Sequence, residues 1–129
     1  MKKEVINGPG LAQPSAPVSL AVRAGGFVYI CGQMPTDPHT GKPVGGTIED
    51  KARATLENIR LVLESAGAEL SDVVKVMIYT TDLSFMPDFN KVYREYFPSD
   101  YPARSGVQVV RLADGLEFEV EAIAYIGDR

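Results

Sequence analysis

The sequence holds one cysteine, Cys31, and one histidine, His39. A lone cysteine excludes an intrachain disulfide, and no Cys/His cluster exists to hold zinc. There are 13 lysines and arginines against 17 aspartates and glutamates, a net charge of −4, interspersed with no basic stripe. Phosphate backbones need clustered cations, so nucleic acid is a poor candidate partner. No apolar run approaches the roughly 18 residues of a membrane span. The lysines of "MKKEVINGPG" are followed by no apolar segment of the kind a secretory signal needs. The glycines of 41–46 lack a phosphate-loop lysine and read as turn residues. No Ser/His/Asp or Cys/His constellation surrounds His39, which reads as a surface residue of a Pro/Gly loop. The expectation left by these absences is a soluble cytoplasmic protein without a metal and without membrane contact.

What is present is an ordinary globular composition, 45% hydrophobic and 23% charged over 129 residues. That length suits one domain, 1–129, and buries roughly two thirds of the unfolded surface. "INGPGLAQPSAP" (6–17) reads as an ordered arm. "VSLAV" and "FVYIC" read as a hairpin about "RAGG", and "GQMPTDPHTGKPVGG" (32–46) as a loop. A helix opens at Thr47, with Asp50 three residues on as in a capping box. Ala52, Leu56, Ile59, Leu63 and Ala66 form its apolar stripe, and Gly67 stops it. "DVVKVMIYTTDL" (72–83) is a strand by its β-branched content. A second helix runs from Met86 to Phe97, with Phe89, Val92, Tyr93 and Tyr96 inward and Pro98 at its end. "YPARSGVQVV" and "LEFEVEAIAYI" are the last strands, read as a hairpin about "LADG". The fold class is α+β, one mixed sheet with two helices packed on one face.

Two helices cover one face of such a sheet. In 73–81 both alternating sets are partly apolar: Val73, Met77 and Tyr79 on one side, Val74, Val76 and Ile78 on the other. The "FVYIC" strand behaves likewise. A sheet apolar on both faces needs a second partner, and self-association fits.

Arg104 sits just inside a strand, with Gly106 two residues on and so on the same face. A glycine there packs nothing and exposes backbone. Matching apolar faces across the expected hairpin sets Arg104, Gly106 and Gln108 on the side of Glu119 and Glu121. The plainer reading is a solvated face with ion pairs worth roughly 0–1 kcal/mol. Cys31 before Gly32 is either a nucleophile or, more commonly for its type, a small buried side chain. Asn90, on the inner side of the second helix, is either a polar core residue or a site residue.

With these residues in place the chain resembles the RidA (YjgF-type) reactive-intermediate deaminases. The resemblance runs through "GQMPTDPHTGKPVGGTIED", "TLENIRLVLESAGAELSDVVKVMIYTTDL", "YPARS" and "FEVEAIA", in that order and spacing. It implies a chorismate-mutase-like fold and a homotrimer with sites at subunit interfaces. It also implies hydrolysis of 2-imino and 2-enamino acids to 2-oxo acids and ammonia. By resemblance Arg104 binds the substrate carboxylate and Glu119 is the site glutamate. Cys31 and Gly32 form another wall, and Asn90 lies nearby. Three positions depart from the family's usual pattern. Val18 stands where a tyrosine is common, Cys31 where serine is, and Gly106 where cysteine is.

That chemistry requires no cofactor. A protonated imine is already electrophilic. A guanidinium grips a carboxylate through two parallel hydrogen bonds, and a nearby carboxylate orients water and takes its proton. Other readings are a non-catalytic member that binds small carboxylates or a partner protein, and a dedicated catabolic deaminase of an aminoacrylate or aminomuconate. A ribonuclease or translation inhibitor, named for some relatives, fits poorly with the acidic balance.

Overall fold

The structure is a computed structural model that describes residues 2–129. Helix α1 (Ile48–Ser65) begins with a reciprocal cap. The Thr47 hydroxyl accepts from the Asp50 N–H at 3.1 Å, and the Asp50 carboxylate accepts from the Thr47 N–H at 2.9 Å. Two otherwise orphaned donors are satisfied, a contribution of about 1 kcal/mol. The stripe Ala52, Leu56, Ile59 and Leu63 is buried, while Ala66 is the half-buried C-cap. Helix α2 (Met86–Tyr96) buries Phe89, Val92 and Tyr93. Tyr96 stays half-buried, because its hydroxyl donates to Glu57 at 3.1 Å.

Among the described residues six strands form one mixed sheet: β1 (Glu4–Ile6), β2 (Ala21–Ala24), β3 (Phe27–Gln33), β4 (Val73–Thr80), β5 (Ala103–Gln108) and β6 (Phe118–Tyr125). Their order is β1-β2-β3-β6-β4-β5, antiparallel throughout except for the parallel pair β4–β5. Helix α2 is the crossover that a parallel pair requires. Val28, Ile30, Val76, Ile78, Phe118, Val120, Ala122 and Ala124 line one face and join the helices in the core. On the other face Phe27, Tyr29, Val107 and Tyr125 stay 39–51% exposed, the two-sided apolar character legible in the sequence. No helix among the described residues is long and apolar enough to cross a membrane.

The structure corrects the sequence reading at three places. Strand β1 lies ahead of the expected arm, and β2 starts at Ala21 rather than Val18, so Val18 is in the arm and 53% exposed. A register shift at Val74 turns Val73 to the helix side with Val76 and Ile78. Most consequentially, β5 and β6 are not a hairpin. β6 is inserted between β3 and β4, and β5 lies parallel to β4 at the sheet edge. Arg104, Gly106 and Gln108 therefore align with Val76, Ile78 and Thr80 on the helix side. Glu119 and Glu121 align with Tyr79 and Met77 on the open side. All six β5 residues are exposed, so their alternation carries no burial signal from which to choose a face.

Candidate functional site

Arg104 is held by α2. Its guanidinium Nη2 donates to Asn90 Oδ1 at 2.7 Å, and the guanidinium carbon lies 4.6 Å from the centre of the Tyr93 ring. Asn90 and Tyr93 are three residues apart and so share one helix face. The Tyr93 ring is fixed from below by Phe97 at 4.6 Å and Phe89 at 6.1 Å. Stacking of this kind contributes roughly 0.5–2 kcal/mol and holds the arginine fork in place. Burial pushes the Tyr93 phenol up, with Arg104 opposing, and its hydroxyl has no hydrogen-bond partner among the described residues. A cleft of about 370 Å³ opens beside them, with Arg94, Tyr101 and Pro102 completing the wall. Arg104 makes no ion pair among the described residues, so its remaining donors are available to an incoming anion. Gly106 lies one register step along the same face. A Cβ there would meet Ile78 at an ordinary 3.7 Å, so packing alone does not require glycine.

The second group surrounds a β-bulge. Between Ile30 and Gln33 of β3 two residues, Cys31 and Gly32, oppose the single Glu121 of β6. The bulge brings the bare backbone of Gly32 against the Glu119 side chain. A Cβ on Gly32 would stand 2.6 Å from both Cδ and Oε1 of Glu119. Burial raises the Glu119 carboxyl above its ordinary pKa, and the charge of Glu121 adds to this. Glu121 in turn accepts a 2.7 Å hydrogen bond from the Tyr79 hydroxyl. Burial likewise pushes the Cys31 thiol up, opposed by Gln33 and reinforced by Glu119. A thiol held protonated in this way is a poor nucleophile, which favours the small-side-chain reading of Cys31. Val18, Cys31, Gly32 and the exposed His39 line a second cleft of about 510 Å³. His39 Nδ1 lies 2.8 Å from the Gly10 carbonyl and ties the 32–46 loop to the arm.

The expected site residues thus fall into two groups: Arg104, Asn90 and Gly106, and Val18, Cys31, Gly32 and Glu119. A single chain does not bring the groups together. Arg104 and Glu119 lie on opposite sheet faces with β4 between their strands, two spacings or about 10 Å across. Sequence reasoning also missed Tyr79 and gave Tyr93 only a core role. The Tyr79 hydroxyl holds Glu121 and the Tyr93 ring carries Arg104, and a tyrosine within an apolar set is the signal that could have found them. No group of three His, Cys, Asp or Glu able to hold a metal occurs among the described residues.

Residues 10–126 match the family described as Endoribonuclease L-PSP. A RutC family protein of Pyrococcus horikoshii is 47% identical over 95% of this chain and 98% of its own. A protein of Dermatophagoides farinae named 2-iminobutanoate/2-iminopropanoate deaminase is 40% identical over 96% and 97% of the two chains. Among solved structures, E. coli TdcF with bound serine superposes with a TM-score of 0.88, at 34% identity over 95% and 98% of the two chains. The chain belongs to this L-PSP/YjgF family, whose relatives here carry the names RutC, RidA and 2-iminobutanoate/2-iminopropanoate deaminase.

Proposed function

We propose that the protein hydrolyses reactive 2-imino and 2-enamino acids to 2-oxo acids and ammonia. The observation that carries this reading is Arg104, a guanidinium fixed by Asn90 and Tyr93 but left without a carboxylate partner at the mouth of a small cleft. Two relatives bear the name of this activity. The serine bound to TdcF is an α-amino carboxylate, of the same chemical class as such substrates.

Arg104 takes the substrate carboxylate through its planar fork, which places the C2 imine at a fixed distance. Glu119 orients a water on C2. The water oxygen bonds to C2 as the C=N double bond opens, and Glu119 takes the proton released. The same carboxyl then protonates the amino nitrogen. The C–N bond breaks with its electron pair on nitrogen, and loss of the hydroxyl proton leaves a 2-oxo acid and ammonium. A carboxyl raised above the ordinary range suits both steps, since its pKa moves toward working pH.

A three- or four-carbon acid cannot bridge two groups on opposite faces of one sheet. The reaction therefore needs Arg104 from one copy and Glu119 from another. A homotrimer with its apolar open faces turned inward supplies this arrangement and covers Phe27, Tyr29 and Tyr125, which are 39–51% exposed in one protomer. The test generates 2-iminobutanoate in situ with threonine dehydratase and follows its loss with and without this protein. Activity supports the reading. Binding of small carboxylates without turnover would support the non-catalytic alternative instead.

A further inference from the structure

In a chain of net charge −4, the Arg104 cleft is lined, among the described residues, by two arginines and no carboxylate. The second is Arg94, one turn beyond Asn90 on α2. At a spacing of four residues their Cβ atoms are about 6 Å apart, and Asn90 is the residue that holds Arg104. Arg94 is exposed and makes no hydrogen bond or ion pair through its side chain among the described residues. Of the other five arginines, Arg53 pairs with Glu95, Arg60 with Glu57 and Glu64, and Arg129 with Asp72, Arg23 donates to the Gly25 and Gly127 carbonyls, and only Arg111, away from this cleft, is also without a side-chain partner among the described residues. Two unpaired guanidiniums facing one cleft sum to a site for two negative charges. Its 370 Å³ lies within the range of small-molecule pockets, about 300–1,000 Å³, and has room for more than a three- or four-carbon acid. Tyr101 and Pro102 add apolar surface to its lining.

We infer that the cleft takes a dicarboxylic substrate, a 2-imino acid with a second carboxylate at the end of its side chain. Arg104 holds the C1 carboxylate and Arg94 the distal one. Arg94 is thus a specificity-determining residue. This rests on the deaminase reading above and adds the substrate class.

The experiment compares 2-iminoglutarate with 2-iminobutanoate. The first is generated from D-glutamate by D-aspartate oxidase with catalase present, the second from threonine by its dehydratase. Residual imine is trapped with semicarbazide. The expected result is a higher kcat/KM for 2-iminoglutarate. In Arg94→Gln the ratio of the two values should fall by at least about tenfold, the loss of one charge-assisted hydrogen bond, and Arg94→Lys should lie between. An unchanged ratio in Arg94→Gln overturns the proposal while leaving the deaminase reading intact. Calorimetric titration with the stable 2-oxoglutarate, 2-oxobutanoate and inorganic phosphate decides the matter without turnover. Tighter binding of 2-oxoglutarate that is lost in Arg94→Gln supports the assignment of Arg94 to a distal carboxylate, whereas failure of both imines to be hydrolysed overturns the deaminase reading and with it the substrate class. Phosphate binding as tightly as 2-oxoglutarate overturns it, because the cleft would then select charge alone.

Discussion

The Glu119 carboxylate rests on the bare backbone of Gly32: a Cβ on Gly32 would stand 2.6 Å from the carboxyl carbon. The contact joins β6 to the bulge of β3 and sets where the proposed base points. The obstructed atoms are the far end of a flexible side chain, so the carboxylate would swing away rather than the backbone shift.

Gly32→Ala should therefore cost little stability and much activity. We expect a melting temperature within about 3 °C of the parent, as for a change below ~1 kcal/mol. Displacing a reacting group by 1 Å can cost on the order of 100-fold in rate, so imine hydrolysis should fall at least tenfold. Glu119→Gln should lower kcat more than it weakens binding, since it removes a base but keeps the shape. In a Glu119→Gln background the alanine should cost nothing more, because both changes act through one carboxylate. Additive losses would break the link between the two residues.

The pH dependence follows from the raised Glu119 carboxyl, whose first cause is burial and second the Glu121 charge. A base acts only when deprotonated, so activity should fall on the acid side at a higher pH than an ordinary glutamate near 4.3 would set. The folded state binds this proton more tightly than the unfolded chain does. Its contribution to stability is thus full below the unfolded pKa and lost as pH rises through the folded one. Glu119→Gln should melt at a higher temperature than the parent at pH 7, and its profile should lack the acidic limb. Scanning calorimetry and kcat/KM against pH check both. Equal melting at pH 7 would contradict the burial cost.

The sequence made some of this legible and hid the rest for identifiable reasons. Helix α1 was readable because its stripe and its Thr47–Asp50 cap are local signals. The centre of β4 was readable from its β-branched run. The place of β5 was not, because a parallel pairing across α2 is non-local and an edge strand exposed at all six residues shows no burial alternation. Each bulge, at Val74 and at Cys31–Gly32, shifts a strand by one residue and exchanges its faces. Arg104, Asn90 and Glu119 were found as residues, but their separation onto two faces was invisible until β6 was placed between β3 and β4. Tyr93 was read as core, and it is core; the arginine stacked on its ring depends on that same pairing.

The separation of Arg104 from Glu119 makes a prediction about assembly. Sedimentation equilibrium should return three times the protomer mass. Arg104→Ala and Glu119→Gln should each be strongly impaired alone. Refolded together in equal amounts, they should recover activity, since about a quarter of sites would carry both native residues under statistical mixing around a cyclic assembly. No recovery in mixed trimers would place both residues in one protomer's site.

The most direct measurement is ammonia release from in-situ 2-iminobutanoate by Arg104 variants of unchanged oligomeric mass. Arg104→Lys keeps the charge but loses the planar fork. A charge-assisted hydrogen bond contributes roughly 1.5–3 kcal/mol, so kcat/KM should fall about 10- to 150-fold. Arg104→Ala should lose more, because the substrate carboxylate is then unpaired in a partly desolvated cleft. If Arg104→Ala keeps activity within about twofold of the parent, ~0.4 kcal/mol, the substrate carboxylate is held elsewhere and the account is contradicted at its centre.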